Sequence, residues 1–269
     1  MYLTVLLVCW MAFVVGTSVT AGDWPTLLGW YAVTQYSVLL IYHRYLSHQA
    51  FATSSRGVHF ILVLYGASCA QGNPISWATS HREHHKHCDT EKDPHSIHHH
   101  SWDQCTVIWA MRNLRYDQQR MSFSPLQSPE AWFVMQSWWV VCAGRLLLTW
   151  LLSGGDLYLV WIHFVAPISL STCSTLFTNV MSHWSPLGNS RICKAVNSWT
   201  INAVQIGAGE GWHQDHHHNS RFARAGERWY QVDVVFRLIC LLEWFGAVHS
   251  VVRGRHPTSD HSTCERSST

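Results

Sequence analysis

Three histidine-rich motifs hold the residues best suited to chemistry in this chain of 269 residues. The motifs are His43-Arg-Tyr-Leu-Ser-His48, His81-Arg-Glu-His-His85 and His213-Gln-Asp-His-His217. Together they supply eight imidazoles, those of His43, His48, His81, His84, His85, His213, His216 and His217. Because neutral imidazole is a good ligand for iron, copper and zinc, the motifs predict a polynuclear metal centre.

The spacing within each motif restricts how its histidines share the centre. In an HxxHH motif on a helix, all three side chains lie on one narrow stripe. His43 and His48 are five residues apart, and on a regular helix they would diverge by about 140°. We therefore expect these two histidines to face different metals or to lie where the helix ends.

Other polar residues near the motifs are assigned supporting roles. The run His98-His99-His100 has no helical spacing and predicts a solvated loop. Glu83 and Asp215 lie inside the motifs, and they are candidates for the carboxylates that hydrogen-bond to the outer nitrogens of ligating histidines.

The composition is typical of a membrane protein. Charged residues make up only 13% of the chain, and 16 residues are Trp, whereas soluble proteins are about 25% charged. Four segments contain no charge or a single one, and each is long enough to cross roughly 30 Å of hydrocarbon as a helix. They are residues 1–22, 24–42, 131–152 and 157–181. We therefore expect an all-α polytopic membrane protein with four transmembrane helices, the first retained because it lacks the basic start of a signal peptide.

The basic residues predict the topology. Of the 18 Lys and Arg residues, eight fall in 44–130 and nine in 191–266. The positive-inside rule places both regions in the cytoplasm, so the spans form two hairpins and both termini are cytoplasmic. All three motifs then lie in a helical cap on that face, within a domain of residues 1–249 that is followed by a polar tail, 250–269.

Shorter segments and the remaining composition complete this picture. Residues 57–70 are apolar but too short for a span, and 232–248 are amphipathic, so both predict helices at the membrane surface. The nine cysteines are scattered without a CxxC pair, which favours reduced thiols over a disulfide framework. A net charge of +2 gives no indication of a nucleic-acid partner.

A centre of many neutral ligands at a membrane face favours oxidation of a lipid chain. Imidazoles add no negative charge, so the site stays positive and leaves positions open for O2. Removal of hydrogen from an unactivated methylene needs an oxidant stronger than any side chain, and the metal would supply it.

With Asp93-Pro-His95 and Gly209-Glu-Gly-Trp-His213, the motifs resemble those of the membrane fatty acyl desaturases. The resemblance runs from about residue 24 to 249 and is closest to the stearoyl-type acyl-CoA desaturases and their bacterial relatives. It implies an O2-dependent enzyme that introduces a double bond at two iron ions, with zinc as the substitute on overexpression. It also implies that His183, in Asn179-Val-Met-Ser-His183, is a ninth ligand and that Asn179 holds a metal-bound water.

The resemblance further implies a set of substrate-binding residues. Gln71 and Trp77 would shape the bend of the acyl tunnel, and Thr175 would form a hydrogen bond with Trp77. Arg112 would contact the head group of the acyl carrier, and Gln35 would lie at the tunnel end.

Two departures from the family pattern bear on the substrate. Thr79 and Ser80 stand where acyl-CoA enzymes have an Arg-Asp pair that contacts CoA, so an acyl carrier protein or a membrane lipid is a candidate carrier beside CoA. The segment 35–42 is bulkier than the family's tunnel end, which predicts shorter acyl chains. Since the sequence shows no fused cytochrome-like domain, we expect a separate electron donor such as a ferredoxin or a cytochrome, and an enzyme of the bacterial inner membrane.

Two alternative functions remain open from the sequence. A hydroxylase or acetylenase could use the same scaffold, because only the placement of the substrate carbon differs. A metal transporter would need ionisable residues along its spans, whereas the predicted spans and their ends offer only Arg145, Asp156 and His163.

Overall fold

The computed structural model describes residues 19–105, 125, 127–184 and 193–254, and these residues are predominantly helical. In chain order the helices are α1 (Trp24–Ser37), the π-helix π1 (Val38–Ser47), α2 (Arg56–Ala67), α3 (Pro74–His87), α4 (Pro129–Leu152), α5 (Leu157–Val160), the π-helix π2 (Trp161–Val165), α6 (Ala166–Met181), α7 (Trp199–Val204), α8 (His213–His218) and α9 (Val234–Trp244). Two short antiparallel strands, β1 (Ala52–Thr53) and β2 (Val248–His249), form the sheet seen among these residues.

Local sequence explains where several helices begin. The side chains of Ser55, Asn73 and Ser128 accept hydrogen bonds from the first backbone N–H groups of α2, α3 and α4. Pro74 and Pro129 occupy the first helical position, where no intrahelical N–H partner is needed. These caps fix the start of α3, the helix that carries the second histidine motif.

The long helices coincide with three of the predicted spans. Helix α4 covers 131–152, the continuous stretch Leu157–Met181 covers 157–181, and α1 with the start of π1 covers 24–42. Of the helices described, only Leu157–Met181 is both long and apolar enough to cross a membrane. The predicted span 1–22 lies outside the described residues except for 19–22, so the four-span topology stays a prediction.

The two segments predicted at the membrane surface are helical but shorter than predicted. Helix α2 buries Val63 and Ala67 and exposes Ile61, and α9 buries Ile239 and exposes Trp244. Each helix therefore has one apolar face in the core and further apolar side chains on the surface. Their placement at a membrane is not tested by these contacts.

A buried guanidinium fastens π1 to the C-terminal part of the chain. Arg44 is 1% exposed. Its Nη1 donates to Asp233 Oδ2 at 2.8 Å and to the Ala223 carbonyl, and its Nη2 donates to Glu210 Oε1 at 3.3 Å and to the Ala208 carbonyl at 3.2 Å. Removing one partner of a buried ion pair leaves an uncompensated charge, which is strongly destabilising.

We therefore predict that Arg44→Ala lowers the free energy of unfolding by about 3–5 kcal/mol. Thermal unfolding of the purified protein in detergent measures this change. The matched control is Arg56→Ala, since Arg56 pairs with Glu130 at 2.6 Å but its side chain is 79% exposed. An exposed pair contributes at most about 1 kcal/mol, so equal effects of the two substitutions would contradict the role given to Arg44.

Candidate metal centre

Nine histidines converge in the interior as two groups. In each group, one ring nitrogen per residue lies within 4.8 Å of the others. The first group is His43, His48, His81, His85 and His216, and the second is His84, His183, His213 and His217. These are the eight motif histidines and His183, so the structure brings every predicted histidine ligand together, and metal binding by them stays a prediction.

The π-helix explains how His43 and His48 share one group. The backbone N–H of His48 donates to the His43 carbonyl at 3.2 Å, which is the i to i+5 hydrogen bond of a π-turn. The wide turn stacks residues five apart, and the two ring centroids lie 4.8 Å apart. His48 is also the residue that ends π1. His43 lies within π1, so the pair shares one group through the π-turn, and neither arrangement expected from the sequence describes this geometry in full.

Each HxxHH motif contributes to both groups. In α3, His81 and His85 belong to the first group with their Nε2 atoms 3.0 Å apart, while His84 belongs to the second. In α8 the pattern is reversed, because His213 and His217 belong to the second group, with Nε2 atoms 3.1 Å apart, and His216 to the first. Two short helices thus face each other across a pair of adjacent sites.

Three buried carboxylates accept hydrogen bonds from the outer nitrogens of the histidines. The pairs are Glu210 Oε1 with His43 Nδ1 at 3.1 Å, Asp93 Oδ2 with His84 Nδ1 at 2.9 Å, and Asp89 Oδ2 with His183 Nδ1 at 3.0 Å. When the proton is held on Nδ1, the lone pair of Nε2 is available to bind a metal, and the hydrogen bond fixes the direction of the ring. At one histidine in the first group and two in the second, Nε2 is therefore aimed inward.

The carboxylates predicted from the sequence, Glu83 and Asp215, are not these. Glu83 contacts His87 at 3.6 Å, and Asp215 accepts from Asn197 and Gln231 at 2.8 and 2.7 Å. Both stand on the outer side of their helices, because they alternate with histidines that face inward. The three carboxylates that accept hydrogen bonds from the ligating histidines lie just after α3 and just before α8. Their position next to a motif is the one sequence feature that could have indicated them.

Burial favours the neutral form of several histidines in the two groups. Burial lowers the pKa of His84 well below its usual value, and the neighbouring rings His95 and His183 lower it further. Burial also lowers the pKa of His217. Burial alone would raise the pKa of Glu210, but His43 and Arg44 bring it down to about 2. At neutral pH the rings of His84 and His217 are therefore in the neutral state that binds metals, and Glu210 is ionised.

A cavity opens directly onto the histidines. Its wall includes His43 and His81 from the first group and His213 from the second. The other lining residues are Leu39, Trp77, Thr175, Thr178, Asn179, Gln205 and Glu210. An elongated group entering this cavity would pass both groups of imidazoles.

Residues 22–239 match the family model described as fatty acid desaturase. This chain belongs to the fatty acid desaturase family. It is 28% identical to the sn-1 stearoyl-lipid 9-desaturase of Anabaena variabilis over 80% of this chain and 78% of the relative. It is 30% identical to the acyl-CoA C20 Delta5-desaturase of Anemone leveillei over 78% of this chain and 67% of the relative. A third relative is the sn-2 palmitoyl-lipid 9-desaturase of Nostoc sp. (strain 36), at 29% identity over 80% and 76% of the two chains.

Family membership identifies the protein as an oxidoreductase that acts on fatty acyl chains. The set of ligand atoms fits a metal cofactor, since several buried Nε2 atoms face other Nε2 atoms, 2.9 Å apart for His43 with His216 and for His48 with His81. When two unprotonated Nε2 atoms face each other, their lone pairs repel and no hydrogen bond can form. A cation bound between them would turn this repulsion into attraction.

Two predicted substrate residues of this desaturase line the cavity, but without the predicted bond between them. Thr175 Oγ1 donates to the Ser171 carbonyl at 2.9 Å, within its own helix. The Trp77 indole N–H is buried and has no hydrogen-bond partner among the described residues. The predicted hydrogen bond between Trp77 and Thr175 is wrong, because the threonine hydroxyl is satisfied by the preceding turn of α6.

The other predicted substrate residues lie off the cavity wall or outside the described part. Gln71 donates to Thr172 Oγ1 at 3.2 Å and is not among the lining residues. Gln35 is fully buried and stands behind the wall, where it donates to the lining residue Gln205 and accepts from Ser171. Arg112 lies outside the described residues.

The histidine run 98–100 lies outside both groups and anchors a loop. The Nε2 atoms of His98, His99 and His100 contact the carbonyls of His183, Asp89 and Asp93 at 3.0, 3.0 and 2.9 Å. These rings are exposed or half-buried, as a loop predicts, yet they are not merely solvated. They hold the backbone that carries two of the three carboxylates.

One pair of cysteines departs from the predicted reduced state. Cys88 and Cys193, 105 residues apart, form a disulfide. No motif in the sequence indicates this pair, because the two cysteines meet only through the fold. Beside them, the Asp89 carboxylate accepts a hydrogen bond from the Lys194 backbone N–H at 2.7 Å. That bond draws the segment after 192 onto the end of α3.

We predict that His84→Ala lowers the amount of bound metal and abolishes desaturation, because it removes a buried metal ligand and leaves the buried Asp93 without its imidazole partner. The same loss is expected at each of the other seven motif histidines. Metal analysis of the purified protein, with the unfolding temperature as a check on folding, measures the effect. The matched control is His218→Ala, since His218 is exposed and follows His217 directly. Full metal content in a folded His84→Ala variant would show that His84 is not a metal ligand.

Proposed function

We propose that this protein is a membrane-bound desaturase that uses O2 and two iron ions to introduce a double bond into a fatty acyl chain. The observation that carries the proposal is the cavity whose wall contains histidines of both groups. Two iron ions held by these imidazoles would supply the oxidant that removes hydrogen from an unactivated methylene.

The protein's own groups position the chain and the ligands. Leu39 and Trp77 give the cavity apolar contact area beside the histidines, which suits a methylene chain and excludes water. Asn179 faces the same cavity, in agreement with a role in holding a metal-bound water. The carboxylates of Asp89, Asp93 and Glu210 fix the rings through their Nδ1 atoms and leave the Nε2 atoms for the metal ions.

A membrane location with four spans is supported by the surface of α4. Its side chains Leu147, Leu148, Leu151 and Leu152 are each more than half exposed, and such a continuous apolar surface needs lipid or a partner. The charge inside this predicted span, Arg145, donates to the Ser68 carbonyl at 3.2 Å and lies over the Phe164 ring. An intramembrane charge with such structural partners favours an enzyme over a metal transporter.

The carrier of the acyl chain is proposed to be a membrane lipid or an acyl carrier protein rather than CoA. Thr79 and Ser80 are neutral and buried in α3, so they offer no cation to the phosphates of CoA. The names of two relatives specify lipid-linked substrates, and that of another specifies an acyl-CoA. Electrons would come from a separate ferredoxin or cytochrome, on the cytoplasmic face of a bacterial inner membrane.

We predict that cells expressing the protein gain an unsaturated acyl chain that is absent with His84→Ala. Mass spectrometry separates the possible products, because a desaturase removes two hydrogens, an acetylenase removes more, and a hydroxylase adds one oxygen. In vitro, one acyl chain is offered on CoA, on carrier protein and in phospholipid with a common electron donor, and CoA should be the poorest. An oxygenated product would show that the enzyme is a hydroxylase and not a desaturase. Turnover of the CoA ester equal to that of the other two substrates would overturn the carrier proposal.

We also predict that Gln35→Ala shifts the preferred substrates toward longer acyl chains. The change removes side-chain volume behind Gln205 and one of the hydrogen bonds that hold its amide, so this part of the wall can recede. The chain-length profile of the products measures the shift. Gln71→Ala is the contrast, since Gln71 is bonded to Thr172 away from the cavity. An unchanged profile for Gln35→Ala, or an equal shift for both variants, would show that Gln35 does not limit chain length.

A further inference from the structure

A second cluster of metal-binding residue types lies behind the histidine centre. Cys88, Asp89, Cys193 and the Nδ1 atom of His183 place their ligand atoms within 4.8 Å of one another. The two cysteines and the aspartate are buried or half-buried. They come from the end of α3 and from the segment after 192, which are distant in sequence.

The sulfurs belong to a disulfide in this structure, but the proposed cytoplasmic location favours the reduced pair. In reducing compartments, cysteines brought together by a fold more often bind metal than form a lasting disulfide. Two electrons and two protons from an external thiol pair would convert the disulfide to two thiols. The external thiols would become a disulfide, and binding of a divalent ion would then release the two protons.

The geometry of the reduced pair suits zinc. Zn²⁺ binds thiolate sulfur at about 2.3 Å in tetrahedral sites, so its two sulfur ligands lie roughly 3.7 Å apart. Two thiols freed from a disulfide and held in van der Waals contact reach that separation with little backbone movement. Zinc also accepts a carboxylate oxygen and a water beside two thiolates.

Asp89 is placed to serve both sites. Its Oδ2 accepts from His183 Nδ1 at 3.0 Å and from the Lys194 N–H at 2.7 Å. Among the described residues, its Oδ1 accepts a long hydrogen bond from Ser96 Oγ at 3.4 Å and lies 4.0 Å from His98 Nε2. One oxygen can therefore bind an ion while the other keeps its bond to His183.

The cysteines also contact the outer edge of the second histidine group. Cys88 Sγ lies 3.9 Å from His183 Nδ1, and Cys193 Sγ lies 3.3 Å from His217 Nδ1. We propose that, in the reduced chain, Cys88, Asp89 and Cys193 form a third metal site for a zinc-class ion. The ion links the segment after 192 to the end of α3, beside His183 and His217 of the histidine centre. When the disulfide forms, its sulfurs can no longer bind the ion. The proposal rests on the proposed function only for the reducing environment.

Cobalt(II) tests the site, because thiolate coordination gives a charge-transfer band in the near ultraviolet that imidazole coordination lacks. The metal-free full-length protein, reduced in detergent, is titrated with cobalt(II), and bound cobalt is counted. We expect the band in the wild type and its loss, with one fewer ion per chain, in Cys88→Ser and in Cys193→Ser. The control is Cys173→Ser, since Cys173 is an exposed cysteine on α6, and this variant should keep the band.

Two further samples keep the test independent of folding and of the proposed function. The wild type oxidised to the disulfide should lack the band without any substitution. His84→Ala should keep it, so failure of the histidine centre to bind metal is seen separately as a lower cobalt count with the band intact. Cobalt uptake by the reduced wild type without the band would overturn the proposal, and so would a band that persists in both serine variants.

Discussion

The guanidinium of Arg44 has to be neutralised in the protein interior, and the carboxylates that neutralise it flank α8. Glu210 precedes that helix and Asp233 follows it. Glu210 also accepts the hydrogen bond from His43 Nδ1. The arrangement that makes burial of Arg44 tolerable therefore orients a ring of the first motif and docks it against the third. A charge requirement, rather than apolar packing alone, joins the parts of the centre.

The charge of the centre is balanced at its edge. The sequence suggested a site of neutral ligands with few carboxylates, which would leave two divalent ions largely uncompensated. The structure places Asp89, Asp93 and Glu210 in hydrogen bonds with Nδ1 atoms, on the side of each ring away from Nε2. In that position they offset positive charge and stiffen the rings, while the inward positions stay available. The carboxylates can thereby strengthen metal binding from outside the rings, without themselves binding the metal on the side that faces the substrate.

The sequence was sufficient to predict which motif histidines converge, because residue type and helical spacing determine which side chains share one face of a helix. It also predicted helices over 131–152 and 157–181 from apolar runs with at most one charge, since length and polarity decide such segments. It could not predict how the histidines divide between two groups, because that depends on how α3 and α8 face each other. The bond between Cys88 and Cys193 was missed for the same reason, because it follows from a contact that exists only after packing. The partner of Thr175 is local, the carbonyl of Ser171 in the same helix, and it was missed because the resemblance paired Thr175 with Trp77.

The backbone of π1 has a consequence for the order in which the centre is built. A π-turn has poorer hydrogen bonding than an α-turn, so an isolated segment 38–47 would be expected to adopt the α-helix. In that helix His43 and His48 would point about 140° apart and could not share an ion. The wide turn persists because partners around 208–233 hold Arg44 and His43. We infer that the first motif gains its chelating shape only after that region docks, so metal acquisition follows the folding of this part and does not guide it.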